Sequence, residues 1–223
     1  MAKFTLQQVA DACGGQVAPE FAAVAVNGVC SDSRKLRQGQ LFIALKGARF
    51  DGHDYIPEAI KAGAAGAISA REMPGLPVVV VPDTLRALGD LARFYRQSLE
   101  IKVIGITGSV GKTTTKEMIA GILETAFRTA RTEGNYNNNI GLPQTVLEIP
   151  EDYQAAVLEL GMNHFNEMSY LTSIAQPDIA VITNIGTMHI EHLGSREGIL
   201  QAKLEILEGL RPDGRTVFNG DEP

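Results

Sequence analysis

The chain has 223 residues, 44% of them hydrophobic and 21% charged, with a formal net charge of −6, the composition of an ordinary globular protein of one or two domains. No apolar run approaches the roughly 18 residues that span a membrane, and the N-terminal MAKFTLQQVADACGG lacks the apolar core and cleavage site of a secretory signal, so a cytoplasmic protein is expected. No Lys or Arg lies between Arg131 and Arg196, while eight carboxylates do, which argues against a nucleic-acid partner and suits bound Mg²⁺ wherever phosphate is held.

Taken from the N-terminus, Thr5 is placed to cap a helix over residues 6–12, with Gly14-Gly15 as its stop. Cys13 and Cys30 show no metal-ligand spacing and read as small buried hydrophobes in a reducing compartment. Strands are predicted over 24–30 and 40–45, and Asp54 as the cap of a helix over 56–62 that Gly63 ends. The β-branched run 78–81 reads as a strand buried on both faces. Pro82-Asp83-Thr84 breaks the pattern, and Leu85, Leu88, Leu91, Ala92 and Tyr95 resume it at helical spacing. A boundary is therefore expected near residue 82, with a small α/β domain over 1–82 and a second domain over 83–223.

In the second part, predicted strands at 103–107, 155–160, 179–184 and 216–219 alternate with predicted helices at 112–126, 166–174 and 195–207. That order implies an α/β fold with right-handed parallel βαβ units and a doubly wound sheet, whose ligands sit beyond the carboxyl ends of the strands. The sequence stops at Asn219-Gly220-Asp221-Glu222-Pro223 just after a strand, so the sheet is expected to be incomplete.

The stretch VIGITGSVGKTTT, from Val103 to Thr115, carries the clearest chemistry. An apolar strand enters a glycine-rich turn and then a helix, the layout of a phosphate-binding loop made from Thr107, Gly108, Ser109, Val110, Gly111, Lys112, Thr113 and Thr114. Lys112 would reach the β- and γ-phosphates of ATP and the Thr113 hydroxyl would sit on Mg²⁺. The common spacing G-x-x-x-x-G-K-[ST] asks for glycine at 106, where this chain has Ile106.

Other residues fall on the same predicted sheet edge. Glu159 ends the apolar run from Ala155 and needs either a cation or local backbone N–H groups. His189, Glu191 and His192 follow the strand over 179–184; a metal-binding role for His189 stands beside an ordinary loop histidine, which is how His192 reads. Asn135, Asn137 and Asn138 suit a sugar, pyrophosphate or peptide, and equally suit a turn. Lys203 reads as a solvated lysine on an amphipathic helix. In the first part, Ser31, Ser33 and Arg34, with Lys46 and Arg49, suit a nucleotide sugar or phosphate and equally suit a surface turn.

The ordered series SDSRKLRQGQLFIALKGARFDGHDYI, GITGSVGKTTTKEM, GNYNNNIGLP, LELGMNH, ITNIGTMHIEHLGS and AKLEI resembles the Mur ligases of peptidoglycan synthesis, and among them the members that add D-alanyl-D-alanine. The resemblance covers essentially the whole chain. It accounts for Ile106, because the family's loop reads TG-x-x-GK-[ST], matched by residues 107–113. It implies a UDP-binding domain holding Ser31, Ser33, Arg34 and Lys46, followed by an ATP-binding domain in which Lys112 binds phosphates and Thr113 one Mg²⁺. Glu159, His189 and Lys203 would complete the metal sites, Lys203 as a carbamate, with Lys112, His189 and Lys203 the catalytic set. Asn135, Asn137 and Asn138 would face the UDP-linked tripeptide or the loop around it.

The implied partners are UDP-N-acetylmuramoyl-tripeptide and D-alanyl-D-alanine, and the implied state is a monomer. The family has three domains, so the resemblance implies a shortened central domain and no C-terminal domain here. Two alternatives stand beside it: a binding module without turnover, and an amino acid-adding ligase of the folylpolyglutamate synthetase type.

Overall fold

The computed structural model describes residues 2–221, in two compact units. The first runs to Tyr95 and includes Leu147–Pro150; the second takes Arg96–Val146 and the chain from Glu151 onward.

The first unit opens with β1 (Lys3–Thr5) and α1 (Leu6–Cys13). Thr5 caps α1 as expected: its hydroxyl accepts from Gln8 N at 3.2 Å while Gln8 Oε1 accepts from Thr5 N at 2.8 Å, satisfying two orphan donors at once. Then come β2 (Gln16–Val17), β3 (Ala25–Asn27), β4 (Val29–Cys30), β5 (Leu41–Ile43), α2 (Ile56–Lys61), β6 (Gly66–Ser69), β7 (Val78–Val80) and α3 (Thr84–Ser98). The main sheet has the order β2-β7-β6-β5-β4 and is parallel except for the β2–β7 pair. Its core joins Phe42, Ala44, Ile56, Ala59, Ala64, Ala67 and Val78.

Three expectations are corrected here. The single strand over 24–30 is two, because Gly28 turns at φ 79°; β3 pairs antiparallel with β1 and β4 parallel with β5, in different sheets. Asp54 caps nothing: Asp51 accepts from His53 N at 3.1 Å and opens a 3₁₀ turn, Gly52–Tyr55, that leads into α2. The boundary lies at Tyr95 rather than residue 82, because most of α3 packs into the first unit. Thr84 Oγ1 donates to Ala44 O at 2.8 Å, Tyr95 Oη donates to Ile149 O at 2.6 Å, and Leu88 and Leu91 are fully buried.

The second unit contains β8 (Lys102–Thr107), α4 (Lys112–Leu123), β9 (Thr129–Arg131), α5 (Gly141–Glu148), β10 (Ala155–Glu159), α6 (Glu167–Ala175), β11 (Ile179–Ile182), α7 (Ile190–Leu193), α8 (Arg196–Leu204) and β12 (Arg215–Phe218). All five strands are parallel, in the order β12-β11-β8-β10-β9. Edge strand β9, three residues ending in Arg131, has no apolar pattern that would announce it. Ser195 caps α8, accepting from Gly198 N at 3.1 Å, and the helix tightens into a 3₁₀ turn over Glu205–Gly209.

The chain leaves β10 beside β8 and returns in β11 on β8's other side. Their carboxyl ends therefore lie together: Glu159 is in register with Ile106, and Ile182 with Thr107. A parallel sheet that reverses its winding opens a crevice at that edge. Among the described residues, no helix is long and apolar enough to cross a membrane.

Candidate functional site

At the end of β8 the chain makes the turn that the sequence announced. Ile106 is fully buried in the sheet core with Ile104, Val157 and Val181, so a glycine there would leave a void. The glycine that matters is Gly108, at φ 150°, where any Cβ would run into Thr183 Oγ1. Gly111, at φ 81°, turns the chain into α4. The first helical bond of α4 runs from Thr115 N to Gly111 O at 2.9 Å. The N–H groups of Lys112, Thr113 and Thr114 precede it and have no acceptor within the helix, as at any helix start. Lys112 Nζ folds back on Gly108 O at 2.9 Å. The buried Thr107 hydroxyl has no hydrogen-bond partner among the described residues, an orphan that a ligand at this loop would relieve.

Glu159 is buried, at 3% exposure, at the carboxyl end of β10. Its Oε2 accepts from Thr113 Oγ1 and its Oε1 from Asn137 Nδ2, each at 2.8 Å. Glu159 N donates to Thr132 Oγ1 at 2.9 Å, and the buried Lys116 Nζ donates to Thr132 O at 2.6 Å. Thr132 and Lys116 were not legible as site residues, being one threonine and one helix lysine among many. The carboxylate is thus oriented by neutral donors, which leaves its charge open to a cation.

Lys203, expected from spacing alone to be a solvated lysine, is instead buried at 2% exposure in the last turn of α8. Burial, and then the nearby Lys112 charge, push its ammonium down to about 8. His189 caps α7 at φ 65°, a strained conformation for a residue with a side chain. Its imidazole is also held below the ordinary range, first by burial and then by the Lys203 and Lys112 charges, with Glu191 opposing. Lys112, Lys203 and His189 therefore share one electrostatic neighbourhood. His192 instead lies against His164, with ring centroids 4.5 Å apart.

The asparagines divide. Asn137 joins Glu159, whereas Asn138 Oδ1 accepts from Ile140 N at 3.1 Å and Gly141 N at 2.9 Å, capping α5. Asn135 is exposed in the turn, its carbonyl accepting from Asn137 N at 2.8 Å.

The remaining candidates belong to the first unit. Ser31 and Ser33 are half-buried there, and Arg34 is exposed and paired in two places with Asp32, at 2.9 and 2.8 Å. That pairing holds the Asp32 carboxyl down at about 2. Lys46 and Arg49 are exposed, in a loop where Lys46 bridges to Asp51 through the backbone. Asp51 also meets His53 Nδ1 at 2.5 Å and Arg71 Nη2 at 2.5 Å. Ala70 N donates to His53 Nε2 at 2.9 Å, so the ring proton sits on Nδ1 and points to Asp51.

Residues 106–223 match the Mur ligase middle domain, and residues 25–96 match the Mur ligase family, catalytic domain. The Bacillus subtilis UDP-N-acetylmuramoyl-tripeptide–D-alanyl-D-alanine ligase is 50% identical over 228 residues, which cover 100% of this chain and 50% of that protein. A crystal structure of MurF from Acinetobacter baumannii superposes with a TM-score of 0.93 at 39% identity, covering 100% of this chain and 50% of that one. The Thermotoga maritima MurF ligase in complex with ADP gives 0.83 at 35% identity, covering 88% and 46%. The chain thus spans about half the length of the curated relatives it matches. With both family matches falling on the two units and the loop, Glu159 and His189 gathered on one sheet edge, the chain belongs to the Mur ligase family.

Proposed function

We propose that this chain forms the first two units of an ATP-dependent ligase that adds D-alanyl-D-alanine to UDP-N-acetylmuramoyl-tripeptide, acting in the cytoplasm as a monomer. The observation that carries the reading is the buried Glu159 carboxylate, bonded to Thr113 of the phosphate loop and lacking a cationic partner among its hydrogen bonds. Family membership and the similarity to D-alanyl-D-alanine-adding relatives support the substrates.

The residues fit a magnesium nucleotide. Thr113 and Glu159 offer hard oxygen donors of the kind Mg²⁺ takes, and the described residues hold no cluster of three or more His, Cys, Asp or Glu that would cage a metal by itself. Mg²⁺ commonly uses one or two protein oxygens and completes its shell with phosphate and water. When bound, it neutralises charge on the phosphates. The helix-start N–H groups and Lys112 take the phosphate oxygens, Lys112 leaving Gly108 O to do so.

In the reaction, a carboxylate oxygen of the tripeptide attacks the γ-phosphorus. The β–γ bridging bond breaks and ADP leaves an acyl phosphate. The amine of D-alanyl-D-alanine then attacks the acyl carbon, a C–N bond replaces the C–O bond, and inorganic phosphate and a proton depart. Lys112 stabilises the charge that develops on the transferred group, an electrostatic and positional form of catalysis. Lys203 contributes as a carbamate: its amine nitrogen attacks CO₂ and loses a proton, turning a cation that repels Lys112 into an anion. Its burial beside Lys112 favours the neutral amine this step needs.

Ligation is tested on a protein of the relatives' full length, by ADP release with UDP-muramoyl-tripeptide and D-alanyl-D-alanine. Release that depends on a different amino acid acceptor would replace the substrate assignment with another Mur-type ligase. For the 223 residues themselves the reading is binding, tested by calorimetric titration with Mg·ADP. Absence of binding in the unaltered chain would sink it.

A further inference from the structure

Resting on the phosphate-loop reading above, we infer that Asn184, assisted by Thr183, is a positioning residue that sets the shape of the loop and ties it to the segment carrying His189. Thr183 and then Asn184 follow β11. Its Oδ1 accepts from Val110 N at 3.0 Å and its Nδ2 donates to Val110 O at 3.0 Å. An asparagine amide offers a donor and an acceptor in one plane, so it can hold both polar groups of a single loop residue. Thr183 Oγ1 donates to the same carbonyl at 2.6 Å, and the Asn184 carbonyl accepts from Ser109 N at 3.1 Å. Gly186 N returns the contact by donating to Ser109 Oγ at 2.9 Å.

Five hydrogen bonds thus join two loop residues to residues 183–186. They direct the Ser109 and Val110 N–H groups at Asn184, so the amides left for phosphate are those at the start of α4. They also explain why Gly108 cannot carry a side chain, since Thr183 lies where its Cβ would be. His189 follows Gly186 by three residues on the same segment. A shift of the loop on taking up phosphate is therefore carried to His189 through Asn184.

The test uses the 223-residue chain with Asn184→Ala, Asn184→Asp and Thr183→Val, and Mg·ADP as probe. Backbone amide exchange in the nucleotide-free chain should rise at Val110, whose N–H loses the side-chain acceptor in Asn184→Ala, and leave the amides of β8 and β10 unchanged. Mg·ADP binding should weaken about tenfold, and the change in the His189 ring resonances on adding Mg·ADP should shrink with it. Asn184→Asp keeps the acceptor and loses the donor, so it should fall between the two. Unchanged exchange at Val110, or a His189 response as large as in the unaltered chain, overturns the inference. If Asn184→Ala does not fold, Thr183→Val decides, because it removes one bond without changing side-chain shape. No Mg·ADP binding by the unaltered chain would overturn the nucleotide reading instead, and the amide-exchange result would still decide this one.

Discussion

The two units carry their polar candidate residues in opposite ways. At the carboxyl edge of the second unit's sheet, Glu159, Thr132, Lys116 and Lys203 are buried, and the first three are joined by hydrogen bonds of 2.6 to 2.9 Å. In the first unit Arg34, Lys46 and Arg49 stand in solvent, with Arg34 paired to nearby Asp32. A buried, bonded site holds its geometry before ligand arrives, whereas exposed long side chains must be ordered by it. Under the proposed function, the second unit would hold a small, highly charged ligand in a fixed place, and the first would order its surface around its ligand.

Lys112→Ala gives the largest expected effect and tests the comparison directly. It removes the side-chain charge that the proposed function gives to the phosphates, so Mg·ADP affinity should fall by about a hundredfold or more, while binding of UDP-muramoyl-tripeptide stays near its original value. Calorimetry with each ligand separates the two. Equal loss of both would mean that the units do not bind independently.

Lys116→Met comes next. It replaces a buried ammonium by an apolar chain of similar length and leaves Thr132 O without its donor, at a cost of about 1–3 kcal/mol. Chemical denaturation measures it. Because Thr132 also receives Glu159 N, Mg²⁺ dependence of ADP binding should weaken too; stability loss with unchanged Mg²⁺ dependence would separate Lys116 from the site.

Lys203 adds a pH-dependent test. Its amine is held down at about 8 against an ordinary 10.5. Between those values the unfolded chain binds more protons than the folded one, so the folded chain gains stability as pH rises through that window. At fixed dissolved ¹³CO₂, the ¹³C carbamate resonance should grow as pH rises through about 8 and vanish in Lys203→Ala. A resonance that survives the substitution would assign the carbamate elsewhere.

What the sequence made legible follows from range. The phosphate loop is local: Gly108, Gly111, Lys112 and Thr113 meet their geometry within a single turn, and the order strand, loop, helix was enough to read it. Glu159 was legible because a carboxylate ending an apolar strand has few uses. Lys203 was not, since helical spacing cannot tell a solvated lysine from a buried one; only the family resemblance singled it out. Thr132 and Asn184 act through backbone atoms of residues 27 and 74 positions away, contacts no local pattern records. The domain boundary failed for a related reason. Pro82 does break the chain, but the burial of Leu88, Leu91 and Tyr95 fixes which unit α3 joins.

The smallest effect is expected at Arg34, and it bears hardest on the first unit. Its guanidinium and the Asp32 carboxylate are both open to water, so solvent and salt screen their attraction. Asp32 should stay ionised down to about pH 2, visible in its side-chain ¹³C titration, and Arg34→Ala should return that titration toward the ordinary carboxylate range. The melting temperature should not move, because an exposed pair that costs side-chain entropy to hold adds little to folding. UDP-muramoyl-tripeptide affinity should fall several-fold if the guanidinium trades Asp32 for a ligand phosphate, since a charge-assisted bond to phosphate is stronger than a screened surface pair. A drop in melting temperature without loss of affinity would make Arg34 a support of the 33–35 turn, and the contrast between a prebuilt and a ligand-ordered unit would then have to rest on Lys46 and Arg49.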